Sequence, residues 1–413
     1  MLLGLYMKRL AKLAICVATV FSLSKAYAIP ELLVWDDDRK SSGIAQAIAE
    51  FETTYDCKVT VEELPFTSHV DRVRLDGPSG IGPDIFLIPS DKLGAAVVHG
   101  LISPIKFMLE DSDKYINSAV SAFVQNGEIY AVPKVVETLV LIYNKSLMKT
   151  PLDTLDEYYD YSKKQVASNS GKYGLLAKWD ALYYAFTVLS PYGAYVFGKD
   201  SDGNLDASDV GLDNEGAIEG IELIKRFYDS GCFPQQILLD EGLEVMDNLF
   251  LSGKVAAVVN GPWALDVYSR SKIDVGVAPL PILPNGKPMS SFLGVKGYAI
   301  STWARHHDLA EKFLRFINQP QFAKQRFKIT KEIPPVKAVM VDPVITENEV
   351  ANAIAVQASR AVPMPSIPEM AEVWDPYDSA IKSAFNGKIS VRDALKAAVE
   401  NINLRIEAFR SGQ

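Results

Sequence analysis

Three of the five tryptophans in this chain stand beside polar residues, as Trp179-Asp180, Asn260-Gly261-Pro262-Trp263 and Trp374-Asp375. An indole next to a carboxylate suits a sugar, whose apolar C–H faces stack on the ring while its hydroxyls donate to the acid. The segment Gly253 to Ala264 (GKVAAVVNGPWA) is the most explicit of the three. Its small and β-branched run from Val255 to Val259 reads as a buried strand, and Gly261-Pro262 ends that strand because proline cannot donate to a ladder. Trp263 is thereby offered at a strand end, either as a stacking platform or as a core plug that caps the sheet. Trp303 reads as packing for the helix that follows it. Tyr158, Tyr159 and Tyr161 share helical spacing with Leu155 and read as one face of a helix.

Catalysis needs constellations that the chain does not display. It has no GxSxG nucleophile elbow, no Walker lysine loop and no GxGxxG fingerprint after a strand. The four histidines, His69, His99, His306 and His307, are not spaced to face one metal and read as solvated surface. Asp200 to Asp206 (DSDGNLD) resembles the start of a calcium loop, but Leu205 holds the position that requires glycine. No cofactor or metal is expected. Paired carboxylates for glycoside hydrolysis are a three-dimensional property, so a secreted glycosidase is kept as a rival reading, and a glycan-binding adhesin as a third.

The N-terminus carries Lys8, Arg9 and Lys12, then an apolar stretch from Leu13 to Leu23, then Ala26-Tyr27-Ala28. This is the pattern of a signal peptide cleaved after Ala28, which implies export, with the periplasm as the expected destination. The apolar stretch falls short of the ~20 residues a membrane span needs. Ile15 precedes Cys16 where a lipid-modified cysteine wants a small residue, which argues against a lipid anchor. Removing residues 1–28 takes away four basic side chains and no acidic ones. It leaves 38 basic against 51 acidic, a net charge of −13 that excludes nucleic acid as a partner. Cys57 and Cys232 form no CxxC, and a disulfide between them is open. The mature chain exceeds the ~250–300 residues at which single cores stop growing, so two domains are expected.

The elements that must position these groups read as an α/β protein. Leu32 to Trp35, Lys58 to Glu62 and Pro83 to Ile88 are strands, with a helix carrying Ile44, Ala47, Ile48 and Phe51 between the first two. Strand, helix, strand recurs, which predicts a mostly parallel sheet with ligands gathering at loops beyond the strands' carboxyl ends. Asp36 to Lys40 and Asp91-Lys92 occupy such loops. Tyr130 to Asn144 (YAVPKVVETLVLIYN) holds two β-rich runs with no helix between them, as a chain crossing from one lobe to another would. Thr154 to Lys164, Asp213 to Ser230 and Val391 to Phe409 read as helices. Val275 to Ile282 and Phe292 to Ile300 read as strands around a Pro-Asn-Gly turn, where a second crossing fits.

Several peptides in order, GPDI (Gly82 to Ile85), SDKLG (Ser90 to Gly94), VETLVLIYNK (Val136 to Lys145), VGLDNEGA (Val210 to Ala217), NGPWA (Asn260 to Ala264) and MPSIPEM (Met364 to Met370) followed by Trp374, resemble the family 1 extracellular solute-binding proteins of bacterial ABC importers, the maltose-binding proteins among them. The resemblance spans nearly the whole mature chain. It implies a two-lobed periplasmic-binding-protein fold, each lobe a mixed, mostly parallel sheet flanked by helices, joined by crossing hinge strands. The implied segments are 29–135 and 298–345 in the N-lobe, and 136–297 and 346–413 in the C-lobe. A carbohydrate would be captured between the lobes of a monomer and delivered to a membrane permease and ATPase complex. Residue by residue, Asp38 and Arg39 match an Asp-Lys pair, allowing a one-residue deletion, and Asp91 and Lys92 match a pair that grips hydroxyls. Glu137 matches the acid at the hinge, and Asp180 lies within one residue of a second acid. Tyr183 matches a stacking tyrosine, and Trp263 and Trp374 match two floor tryptophans.

The departures are Ile88 in place of a tryptophan, Asp375 in place of a tyrosine, and Asp378 in place of an arginine. An aspartate only accepts hydrogen bonds where an arginine donates two, so that end of the site should meet more donors or a positive charge. The ligand implied is a maltose- or maltodextrin-like oligosaccharide. The acids Glu137, Asp180, Asp375 and Asp378, if uncompensated, favour an amino sugar or a polyamine instead.

Overall fold

A computed structural model of the protein describes residues 29–169, 171–201 and 204–411. The expected signal peptide and its cleavage site lie outside them, as do two positions of the calcium-like loop. Within the described residues the strands of the two larger sheets are β1 (Glu31–Asp36), β2 (Lys58–Glu63), β3 (Ile85–Pro89), β4 (Ala131–Glu137), β5 (Val140–Asn144), β6 (Tyr173–Leu176), β7 (Val255–Asn260), β8 (Val275–Ala278) and β9 (Phe292–Ser301), with shorter pieces at Ile102–Ser103 and Val362–Pro363. A seven-stranded sheet runs in the order Val362–Pro363, β9, β3, β1, β2, with β4 and Ile102–Ser103 also pairing with β9. A four-stranded sheet runs β8, β5, β7, β6. Each sheet anchors one lobe.

Both sheets are mixed, but the expected predominance of parallel pairs is corrected. β1 pairs in parallel with β2 and β3, as the strand-helix-strand reading requires. β9 is antiparallel to both β3 and β4. In the smaller sheet β5 is antiparallel to β7 and β8, and only β7 with β6 is parallel. β4 and β5 are separated by two residues, Thr138 and Leu139, and lie in different sheets, so the chain passes from one lobe to the other at this point.

Local sequence explains the frame. Asp84 of the GPDI peptide is buried, and its carboxylate accepts from Leu33 N at 2.8 Å and Arg305 N at 2.7 Å, tying β1 to the turn after β9. Thr154 and Glu157 form a capping box that starts the helix Leu155–Ala167, and Asn214 caps Glu215–Asp229 by accepting from Ala217 N at 2.9 Å. Three crossings lie side by side. The hydroxyls of Thr138 and Ser291 are hydrogen-bonded, Val362 N donates to Ser291 O at 2.9 Å, and Ser290 Oγ donates to Arg360 O. β9 runs unbroken from Phe292 in the larger sheet, so the segment boundary at 297/298 falls inside a strand. Cys57 and Cys232, whose pairing the sequence leaves open, are buried free thiols. One further expectation is corrected: His69 is fully buried, its ring nitrogens 3.0 Å from Leu87 O and 3.1 Å from Leu64 O.

Candidate functional site

A cleft of about 700 Å³ lies between the two lobes, with an aromatic side and a polar side. The aromatic side begins at the NGPW turn. Asn260, the last residue of β7, is buried; its amide donates to Asp247 Oδ1 at 3.2 Å and to the Tyr268 hydroxyl at 3.1 Å, while its side-chain oxygen accepts from Gly261 N at 2.8 Å. Pro262 then opens a 3₁₀ turn, Pro262–Ala264, on which Trp263 remains 37 % exposed. The indole is followed along the floor by Tyr183 (ring centroids 6.3 Å apart) and Trp374, with the buried Phe292 behind them, 6.2 Å from Tyr183 and 6.0 Å from Trp374. Tyr183 sits in the first turn of the helix Leu182–Tyr192, and Trp374 opens the helix Trp374–Phe385.

The polar side comes from the larger sheet. Asp37, immediately after β1, faces the cleft, and its N–H donates to Asp36 Oδ1 at 2.9 Å. Asp36 itself is buried; it accepts from Lys134 Nζ at 2.6 Å and from the Tyr298 hydroxyl at 3.0 Å. Asp91 and Lys92 lie on the 3₁₀ turn after β3 and line the cleft, and burial pushes the Asp91 carboxyl up. Gly94 lets this turn close on the segment after Val362–Pro363, because a Cβ there would run into Pro368. Glu137, at the end of β4, is 3.0 Å from the ammonium of Lys296 on β9; that ammonium is also 3.5 Å from Asp37 Oδ2 and 4.2 Å from the Phe66 ring. Burial works against the charge on Lys296, but Glu137, Glu332 and Asp37 outweigh it and hold the group protonated.

Residues 46–353 match the family described as bacterial extracellular solute-binding protein. The chain belongs to this family. A galactooligosaccharide-binding protein of Bacillus subtilis is 42 % identical over 93 % of this chain and 91 % of its own length. The maltodextrin-binding protein MdxE of the same organism is 33 % identical over 86 % of this chain and 85 % of its own. Among solved structures, a cyclo/maltodextrin-binding protein complexed with maltotetraose has a TM-score of 0.82 and 36 % identity, covering 92 % of this chain and 99 % of that one. MalX from Streptococcus pneumoniae, in complex with maltopentaose, has a TM-score of 0.84 and 31 % identity, covering 91 % and 100 %.

In this solute-binding protein the cleft brings together Asp91, Lys92, Glu137, Tyr183, Trp263, Trp374 and Asp378 from the sequence expectation. Four expected residues lie elsewhere. Asp38 is exposed beyond the cleft and Arg39 lines a different cavity with Leu265 and Arg270, because the turn after β1 presents its preceding residue, Asp37. Asp180 is fully buried against Lys178 at 2.6 Å, and Asp375 is exposed outside the lining. Trp179, offered as a platform beside Asp180, is a core residue stacked on Phe233. The uncompensated acidic field is corrected for the same reasons, since Glu137 and Asp180 each carry a lysine partner.

Sequence reasoning missed Asp37, Phe66 and Lys296. A signal existed for the last of these: a lone lysine inside the apolar run FLGVKGYAI must find an acid when its strand is buried. Asp378 is held by the fold, its Oδ1 accepting from Leu182 N at 2.7 Å at the start of the Leu182–Tyr192 helix.

Two expectations follow locally. Gly261 has φ −94°, open to any residue, yet a Cβ there would run into the Trp263 indole. Gly261→Ala should therefore displace the indole and weaken ligand binding about as much as removing it, ~1–3 kcal/mol, with the fold retained; calorimetry alongside circular dichroism checks this. Burial raises the Asp378 carboxyl from 3.8 to about 6, with Leu182 N opposing and Asp180 adding to the rise. The folded state thus binds the extra proton between those values, so this group costs stability as pH rises through that window. Asp378→Asn should lose that component, gaining melting temperature relative to the parent at pH 7 but not at pH 4. Parallel curves across that range would overturn the assignment.

Proposed function

We propose that this protein is the exported substrate-binding component of an ABC importer, that it captures a neutral oligosaccharide between its lobes, and that it passes the ligand to a membrane permease powered by an ATPase. The observation that carries this reading is the facing of an aromatic floor, Trp263, Tyr183 and Trp374, by Asp37, Asp91, Lys92 and Glu137 across one cleft. Rings stack on sugar C–H faces while carboxylates and ammonium groups address hydroxyls. The oligosaccharides named for the relatives and neighbours support it. The protein acts as a monomer, with a signal peptide cleaved after Ala28. The N-lobe takes residues from 29 through β4 together with β9, the helices to 345 and the short strand Val362–Pro363, the C-lobe takes the rest, and the second crossing precedes Phe292.

Mechanism follows from the geometry. A ligand touching both sides stabilises the closed arrangement over the open one, and the laced crossings at Thr138, Ser291 and Val362 form the hinge about which the lobes move. The protein returns its ligand unchanged, so it is not an enzyme.

A thermal-shift screen followed by calorimetry tests this, using maltotetraose, β-1,4-galactotetraose and shorter homologues. The expected result is saturable binding of at least one neutral oligosaccharide, recovered intact by chromatography. Shorter products would favour a glycosidase. The absence of any shift across the panel would remove the carbohydrate reading.

A further inference from the structure

The polar side of the cleft gathers two acids, Glu137 and Asp37, around one buried cation that lines it, Lys296. Lys296 is 5 % exposed, on the central strand β9, where only a residue with an acidic environment could keep an ammonium. Its nitrogen is 3.0 Å from Glu137 Oε1 and 3.5 Å from Asp37 Oδ2. Behind it lies a cavity of about 30 Å³ that shares Asp37, Glu137, Trp263 and Lys296 with the cleft. Glu332 also lines that cavity. It is 6 % exposed, and neither of its carboxylate oxygens has a hydrogen-bond partner. Glu332 has Lys134 at 3.6 Å, so Glu137 and Asp37 are the two acids that meet the one buried ammonium facing the cleft, Lys296.

We propose that Lys296 is the cleft's built-in cation and its specificity-determining residue: it fills the seat that a ligand ammonium would otherwise take, so that the site accepts neutral oligosaccharides and rejects amino sugars and polyamines. The inference rests on the carbohydrate reading above. An ammonium carries three N–H groups, more than its 3.0 Å contact with Glu137 uses, and Lys296 lines the cleft where a ligand oxygen can accept another. Glu137 keeps acceptor capacity for a neighbouring hydroxyl, so the pair reads two adjacent hydroxyls by donating to one and accepting from the other. A ligand ammonium arriving at the same place meets a fixed like charge in a confined space, which disfavours it.

The test uses Lys296→Gln, which keeps an N–H donor on a side chain one atom shorter while removing the charge, and Lys296→Ala, which vacates the seat. Binding is read by calorimetry and thermal shift with two probe classes: the neutral oligosaccharide found in the screen, and the fully deacetylated glucosamine tetramer with spermidine. The parent should bind the neutral probe and not the cationic ones. Lys296→Gln should lose roughly tenfold or more in neutral affinity, the scale of a lost hydrogen bond to a charged group, and gain binding of the cationic probes that salt weakens. Adding Glu137→Gln should abolish that gain, which a general loosening of the cleft would not predict.

Neutral affinity unchanged in Lys296→Gln, or no gain of cationic binding in either variant that melts cooperatively, would overturn the proposal. So would a parent that already binds the glucosamine tetramer as well as the neutral probe. A parent that binds no neutral oligosaccharide overturns the carbohydrate reading instead, and in that case the gain of cationic binding in the variants still decides the role of Lys296.

Discussion

Lys134→Met lowers the unfolding free energy by roughly 3–5 kcal/mol, the cost of leaving a buried charge without its partner. Lys134 on β4 is completely buried, 2.6 Å from Asp36 Oδ1 and 3.6 Å from Glu332, with its ammonium over the Tyr298 ring. Burial alone would push this ammonium's pKa down, but Asp36 and Glu332 overcome that and hold it well above the ordinary lysine range. Methionine matches the side chain in size and leaves the acids stranded. Asp36 would keep only the Tyr298 hydroxyl and the N–H of Asp37, and Glu332 would lose its nearest cation. Urea denaturation at neutral pH measures the loss. Stranded carboxylates prefer a proton in the folded state, so the gap to the parent should narrow as the pH is lowered. Adding Asp36→Asn should recover part of the loss. A change below about 1 kcal/mol, the range of a surface pair, would show that the network contributes no more than exposed ion pairs do.

Trp263→Ala and Trp374→Ala should each weaken oligosaccharide binding by ~1–3 kcal/mol, about 5- to 150-fold, the range expected for an aromatic anchor. Trp263 projects from a 3₁₀ turn held by the buried Asn260, so its truncation removes stacking area without disturbing the strand. Its exposure also means that melting should change little. Trp374 is half-buried and meets Phe292 edge to face, so its loss should lower stability modestly as well as affinity. Calorimetry with the oligosaccharide identified in the screen gives both values. Unchanged affinity in both variants would remove the aromatic floor from the site.

Much of the site was legible because its residues fall next to strong punctuation. Trp263 follows a β-branched run and a Gly-Pro stop, and Asp91-Lys92 follows a strand and precedes a glycine, so each is placed at a strand end by local chemistry alone. The run of three aspartates after β1 was harder. Asp36 points inward with Leu32 and Val34, and Asp37 rather than Asp38 reaches the cleft, because the turn bends around the Asp36 carboxylate that caps it. A one-residue difference in a turn cannot be read from composition. The pairing of Trp179 with Asp180 misled for a related reason: adjacency in sequence put an indole beside an acid, while the strand and helix around them sent both inside, one to stack on Phe233 and the other to meet Lys178.

What the sequence determined by itself was the alternation of strand and helix, the two runs that cross between lobes, and the indoles offered at element ends. All of these rest on hydrophobic period and on backbone rules for glycine and proline that act within a few residues. Only the tertiary structure decided which of the cleft's acids carry a cation of their own. Glu137, Asp37 and Glu332 are separated from Lys296 by up to 259 positions along the chain, and their interaction depends on distances of a few ångströms in a site shielded from water. An acid read alone predicts attraction for a cation; the same acid with a lysine 3.0 Å away offers a matched donor and acceptor to a neutral hydroxyl pair.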